Sequence, residues 1–148
     1  MKNVVGVIVV ALVMLTGVSV RASDALKAIV NSYLDVQARL ASDRLERVSA
    51  EAGKIEQHAA GMGAAGDTIL KSAKALGSAR DLKGAREAFG GLSDAVIAAG
   101  NAQGWKDIPD LRVAYCPMVK KSWIQKELEL RNPYYGSTML TCGEFKKK

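Results

Sequence analysis

The 148-residue chain is poor in the residues that most often announce a function. It has one histidine, two cysteines and three prolines, and its aromatics amount to 5% of the sequence. With so few rings, stacking platforms for single-stranded nucleic acid are nearly absent. The single histidine, His58, stands far from either cysteine in sequence, and nothing sets it beside Cys116 with a third group to orient the imidazole, so a Cys–His nucleophile is not indicated. A Gly-rich phosphate loop is missing too. Charge of one sign does not accumulate: the net +6 is dispersed apart from Lys146, Lys147 and Lys148. Such a tail reads as a solvated end rather than a nucleic-acid footprint. The acids fall on helix faces. The sequence therefore points away from an enzyme and away from a nucleic-acid partner.

The one long apolar run sits at the start. Lys2 precedes a run from Val4 to Val20, and "VRA" ends it with small residues before Ser23. This is the layout of a secretory signal peptide, with a cut expected after Ala22. The run is at the lower limit for spanning a bilayer, so an uncleaved anchor is the competing reading. The expectation is an exported, periplasmic protein without stable membrane insertion after cleavage, with residues 1–22 as leader and 23–148 as a single domain.

Behind the leader the period is helical. Leu26, Ile29, Val30, Tyr33, Val36 and Leu40 recur at three and four residues, with Ser23 as the expected N-cap. A second helix is expected from "ASDRLE", capped by Ser42 or Asp43, with a seam of Leu45, Val48, Ala52, Ile55, Ala59 and Met62. "GMGAAGD" breaks it. Ile69, Leu70, Ala73 and Leu76 mark a third helix, and Leu82, Ala85, Phe89, Leu92 and Val96 a fourth after "SARD". The predicted fold is mainly α: an antiparallel four-helix bundle with a small irregular β-rich C-terminal tail, about 111–145. Residues 98–110 read as a connector. "LRVAYC" and "STMLTC" read as strands, separated by "RNPYYG".

The tail holds both cysteines, each near a methionine. Thiolate and thioether are soft donors that suit Cu(I) or Ag(I). Pro117 is expected to keep "CPM" extended, so that Cys116 and Met118 face one way. Met139 and Cys142 converge if the chain turns between them. His58 and Met62, four apart on one helix face, are a possible addition. The competing reading is a Cys116–Cys142 disulfide stapling the tail, which suits an exported chain and would contribute roughly 3 kcal/mol. The spacing leaves both open.

"YCPM", "SWIQ" and "LRNPYYGSTMLTCGEF" together resemble the C-terminal module of periplasmic adaptor subunits in copper/silver efflux pumps of the resistance-nodulation-division type, a module also found as a standalone exported protein. The residues carrying the resemblance are Cys116, Pro117, Met118 and Trp123, then Asn132, Pro133, Tyr134, Tyr135 and Gly136, then Met139, Cys142 and Gly143. "REAFGGLSDAVI" (86–97) is similar to the family's last bundle helix. The resemblance implies handling of Cu(I), Ag(I) or a similar ion in the cell envelope, with Cys116, Met118, Met139 and Cys142 as ligands. It also implies an efflux adaptor or another envelope protein as partner. Residues 23–148 show none of the hairpin, lipoyl or barrel regions of an adaptor, so the expectation is a protein other than the adaptor itself. Trp123, Asn132, Tyr134 and Tyr135 are expected to be structural.

Overall fold

A computed structural model describes the backbone of residues 5–105 and 108–147, with side chains from Ala22 onward. The chain is mainly helical, with a small three-stranded antiparallel sheet near its C-terminal end. Four helices, α1 (Val5–Ala41), α2 (Val48–Ala60), α3 (Asp67–Gly77) and α4 (Leu82–Gln103), precede the strands β1 (Arg112–Cys116), β2 (Lys121–Gln125) and β3 (Glu144–Phe145). Two short 3₁₀ turns, Gly63–Gly66 and Gly136–Met139, complete the order.

Most of the apolar seams read from the sequence form the core, with Leu45, Met62, Leu70 and Leu82 only partly buried against it. Leu26, Ile29, Val30, Tyr33, Val36 and Leu40 of α1 are all buried, as are Val48, Ala52, Ile55 and Ala59 of α2. From α3 and α4 come Ile69, Ala73, Leu76, Ala85, Phe89, Leu92 and Val96. Full burial of a side chain such as leucine or phenylalanine contributes roughly 1.5–3 kcal/mol, so this one cluster dominates the stability of the chain. Helix α1 packs on α2 and α4, and α3 packs on the same two. Among the described residues no helix is long and apolar enough to cross a membrane.

Three boundaries differ from expectation. Helix α1 runs unbroken through the expected cut after Ala22, so Ser23 lies within it and is not its cap. The leader's side chains, residues 1–21, lie outside the described residues. Neither Ser42 nor Asp43 opens α2, which begins at Val48 after a left-handed Arg47 with no side-chain cap. Those two residues instead belong to a bend after α1, with Asp43 at φ 56°. Helix α4 absorbs residues 98–103 of the expected connector. At its start the Asp81 carboxylate accepts from Gly84 N–H at 2.7 Å, a side-chain cap.

Gly100 explains how α4 ends. A Cβ on Gly100 would stand 2.0 Å from the Trp105 ring, so only glycine lets the chain fold that indole back over the helix. Trp105 Nε1–H then donates to Asn101 Oδ1 at 3.0 Å.

The sheet order is β2-β1-β3. The hairpin joins "RVAYC" to "KSWIQ", not to "STMLTC". Trp123 and Ile124, successive residues on opposite faces of β2, are both fully buried, so the strand is covered on both sides. "STMLTC" is instead a 3₁₀ turn running into a further turn, and only Glu144 and Phe145 pair with β1. The sheet rests on α4 and α1 through β2.

Candidate metal centre

The site is built from the register of the sheet. β1 pairs with β2 from Arg112↔Gln125 to Cys116↔Lys121, and with β3 through Ala114↔Phe145 and Tyr115↔Glu144. The second register brings Cys142, two residues before Glu144, to the end of β1 where Cys116 stands. Both cysteines are free thiols; Cys116 is fully buried and Cys142 half-buried. Burial pushes the Cys142 thiol above its ordinary range, and the neighbouring Cys116 sulfur raises it further through charge repulsion and a thiol–thiol hydrogen bond. The two sulfurs are therefore neighbours, and at neutral pH Cys142 is held as the thiol.

Met139 approaches from the same segment as Cys142. Cys142 N–H donates to the Met139 carbonyl at 3.0 Å, closing the turn that the spacing "MLTC" permitted but did not demand. Met139 is half-buried. Met118 behaves otherwise. β1 stops at Cys116, and residues 117–120 form the hairpin loop, with Lys120 at φ 54°. Pro117 starts that loop rather than prolonging the strand, because proline's fixed φ suits a turn's first corner. Cys116 is thus 0% exposed and Met118 62% exposed, and their sulfurs do not share a face.

His58 and Met62 stand at the C-terminal end of α2, which packs on α1, α3 and the first 3₁₀ turn. The structure does not bring them to the cysteines. Among the described residues no three His, Cys, Asp or Glu side chains are grouped to hold a metal. The soft donors that do converge are two thiols, with one thioether on the adjoining turn.

A polar scaffold fixes the thiol pair, and most of it centres on Asn132. This fully buried side chain donates Nδ2–H to the Cys142 carbonyl at 2.7 Å and accepts from Tyr134 N–H at 2.8 Å. Its own N–H donates to Leu140 O at 2.7 Å. Tyr134 lies between Phe89, which it meets at a tilt, and Trp123, which it meets edge to face, and its hydroxyl donates to Ser122 O at 2.6 Å. Burial raises the Tyr134 pKa, and nearby Cys116 adds to the rise. Trp123 Nε1–H donates to the buried Gln125 Oε1 at 2.8 Å. Trp123, Asn132 and Tyr134, three of the four residues expected to be structural, thus all take part in the packing and hydrogen bonds that hold the tail.

The composition of the tail did not disclose how it is fastened to the helices. Arg86 of α4 donates Nη2–H to Leu40 O at 2.9 Å and to Asp43 Oδ1 at 2.6 Å, and Nε–H to Pro133 O at 3.0 Å. Asp43 Oδ2 accepts from Ser137 N–H at 3.0 Å. The Ser137 hydroxyl and N–H and the Arg86 guanidinium together hold the Asp43 carboxyl down to about 2. A Cβ at Gly136, itself at φ 58°, would fall 2.0 Å from the Asp43 carboxylate. The glycine of "NPYYG" is thus required by the clamp. Gln37 adds a second tie, donating to Arg131 O at 2.6 Å.

Comparison with family models, with curated proteins and with solved structures finds no match.

Proposed function

We propose that the chain is a periplasmic protein that binds or escorts a soft monovalent ion, Cu(I) or Ag(I), in heavy-metal tolerance or efflux, with Cys116 and Cys142 as its principal ligands. In this reading the four helices form an antiparallel four-helix bundle that serves as a rigid base for the tail. The observation that carries the reading is the placement of two free thiols at one end of β1 by the β1–β3 register, one buried and one half-buried. Two thiolates suit a low-coordinate soft ion, and Met139 supplies a thioether from the same turn. Each thiol must lose its proton on binding, so loading releases protons to solvent. The resemblance of the tail to the efflux-adaptor module supports the same ion class, and it suggests an adaptor or another envelope protein as recipient. The ion is cargo, and no catalytic step is involved.

The test is a Cu(I) competition titration on the reduced chain without residues 1–22. Wild type binds one ion; Cys116→Ser and Cys142→Ser each lose most of the affinity; Met139→Leu weakens it less. Failure of the reduced wild type to bind ends this reading.

A second reading rests on the same placement: an envelope interaction module in which the two cysteines close as a disulfide. Thiols that stay oxidised in protein isolated from the periplasm, together with unchanged Cu(I) binding in Cys116→Ser, would favour it.

A further inference from the structure

We infer that a second site, at the end of β1 away from Cys116, binds a single-chain amphiphile with an anionic head, such as a fatty acyl carboxylate. A cavity of about 700 Å³ lies between the C-terminal end of α4 and the sheet. That volume falls in the range of about 300–1,000 Å³ usual for small-molecule sites. Its walls are apolar, with Ile97, Trp105, Ile108, Leu111, Val113 and Phe145 among them, and Ile124 at the back. Among the described residues its polar margin is mainly cationic, with Arg112, Lys146 and Lys147 beside Asp110 and the neutral Asn101. Apolar walls with a positive margin match an aliphatic chain carrying one negative charge.

The walls are held in place by specific contacts. The Trp105 ring is seated over Gly100 and tied to Asn101, so its position is set by α4. Lys146 N–H donates to Val113 O at 2.8 Å, which fixes the strand end beside β1. The Arg112 guanidinium lies 5.8 Å from the ring centroid of Phe145 on the cavity wall, and Lys146 Nζ lies 5.3 Å from that of Tyr115, which is outside the lining. Among the described residues none of these three cations is in an ion pair, in contrast to Arg86 and Lys121. Stacking on rings keeps a cation near an apolar surface without neutralising it. The cavity therefore offers positive charge beside a greasy wall, and a carboxylate is the group that would complete it.

The free amphiphile is favoured over a bilayer lipid because the volume is a recess between elements and not a flat face. The test uses the full chain without residues 1–22, titrated with dodecanoate below its micellar concentration. Binding is followed by calorimetry and by tryptophan fluorescence, with dodecanol and phosphatidylglycerol vesicles in parallel. Saturable dodecanoate binding is expected, with dodecanol weaker by about tenfold, the combined effect of a few partly exposed charge contacts. The triple variant Arg112→Gln, Lys146→Gln, Lys147→Gln changes surface residues only and should bind dodecanoate as weakly as dodecanol. Trp105→Phe should keep the calorimetric binding and lose most of the fluorescence change. Absence of saturable dodecanoate binding would overturn the inference, as would equal binding by wild type and triple variant, or association with vesicles alone. None of these outcomes bears on Cu(I) binding at the cysteines.

Discussion

At the scale of single residues, Asp43 shows how a side chain expected to cap a helix can serve elsewhere. As a short acid just past a helical run it has the look of an N-cap, yet its left-handed backbone turns it toward Arg86 and Ser137. No local pattern could reveal this, because Arg86 and Ser137 lie 43 and 94 residues away. The effect on pH dependence has a definite sign. A carboxyl held at about 2 when folded, against 3.8 ordinarily, stabilises the fold above its ordinary value. That contribution is lost as pH falls through the window from about 4 to about 2. Asp43→Asn should therefore show a shallower loss of melting temperature than wild type across that window, measured by circular dichroism. Gly136→Ala meets both a left-handed backbone and the Asp43 carboxylate, and should cost more than about 1 kcal/mol in urea unfolding. Met118→Leu, by contrast, leaves an exposed apolar side chain of similar size and should change neither stability nor Cu(I) affinity.

Among the elements, the helices were legible from sequence and the tail only partly. The period of three and four in α1, α3 and α4 marks the buried face because a helix that packs on a core must repeat that way. Helix α2 was legible from Val48 on and misread before it, since polar residues after α1 suit a cap and a bend equally. In the tail, "KSWIQ" carries too little alternation to announce β2. Its place on the helices is fixed by the burial of Trp123 and Ile124 and by Tyr33 of α1, whose hydroxyl accepts from Ile124 N–H at 3.2 Å. Asn132 was legible as a turn residue, but not its bond to the Cys142 carbonyl. Asn132→Ala would strand that carbonyl and the Tyr134 N–H, and should lower stability by about 2 kcal/mol in denaturant titration. The same variant should also loosen the thiol pair and weaken Cu(I) binding.

For the whole molecule, the tail functions as a lid on one side of the helical body, pinned by Arg86, Gln37 and Tyr33. Cutting the chain at Pro109 removes Trp123, Ile124 and Tyr134 from the core. The truncated protein should keep helical circular dichroism at room temperature and melt at a clearly lower temperature than the full chain. The sheet order β2-β1-β3 has one further consequence, concerning sequence in time. β2 follows β1 across a four-residue loop, whereas β3 arrives only after the whole "NPYYG" turn has been laid down. During refolding, Cys116 should therefore spend an interval with one flank of its strand uncovered. Short pulses of iodoacetamide should alkylate it early in refolding and spare it once β3 has docked, making that thiol a clock for the last step of assembly.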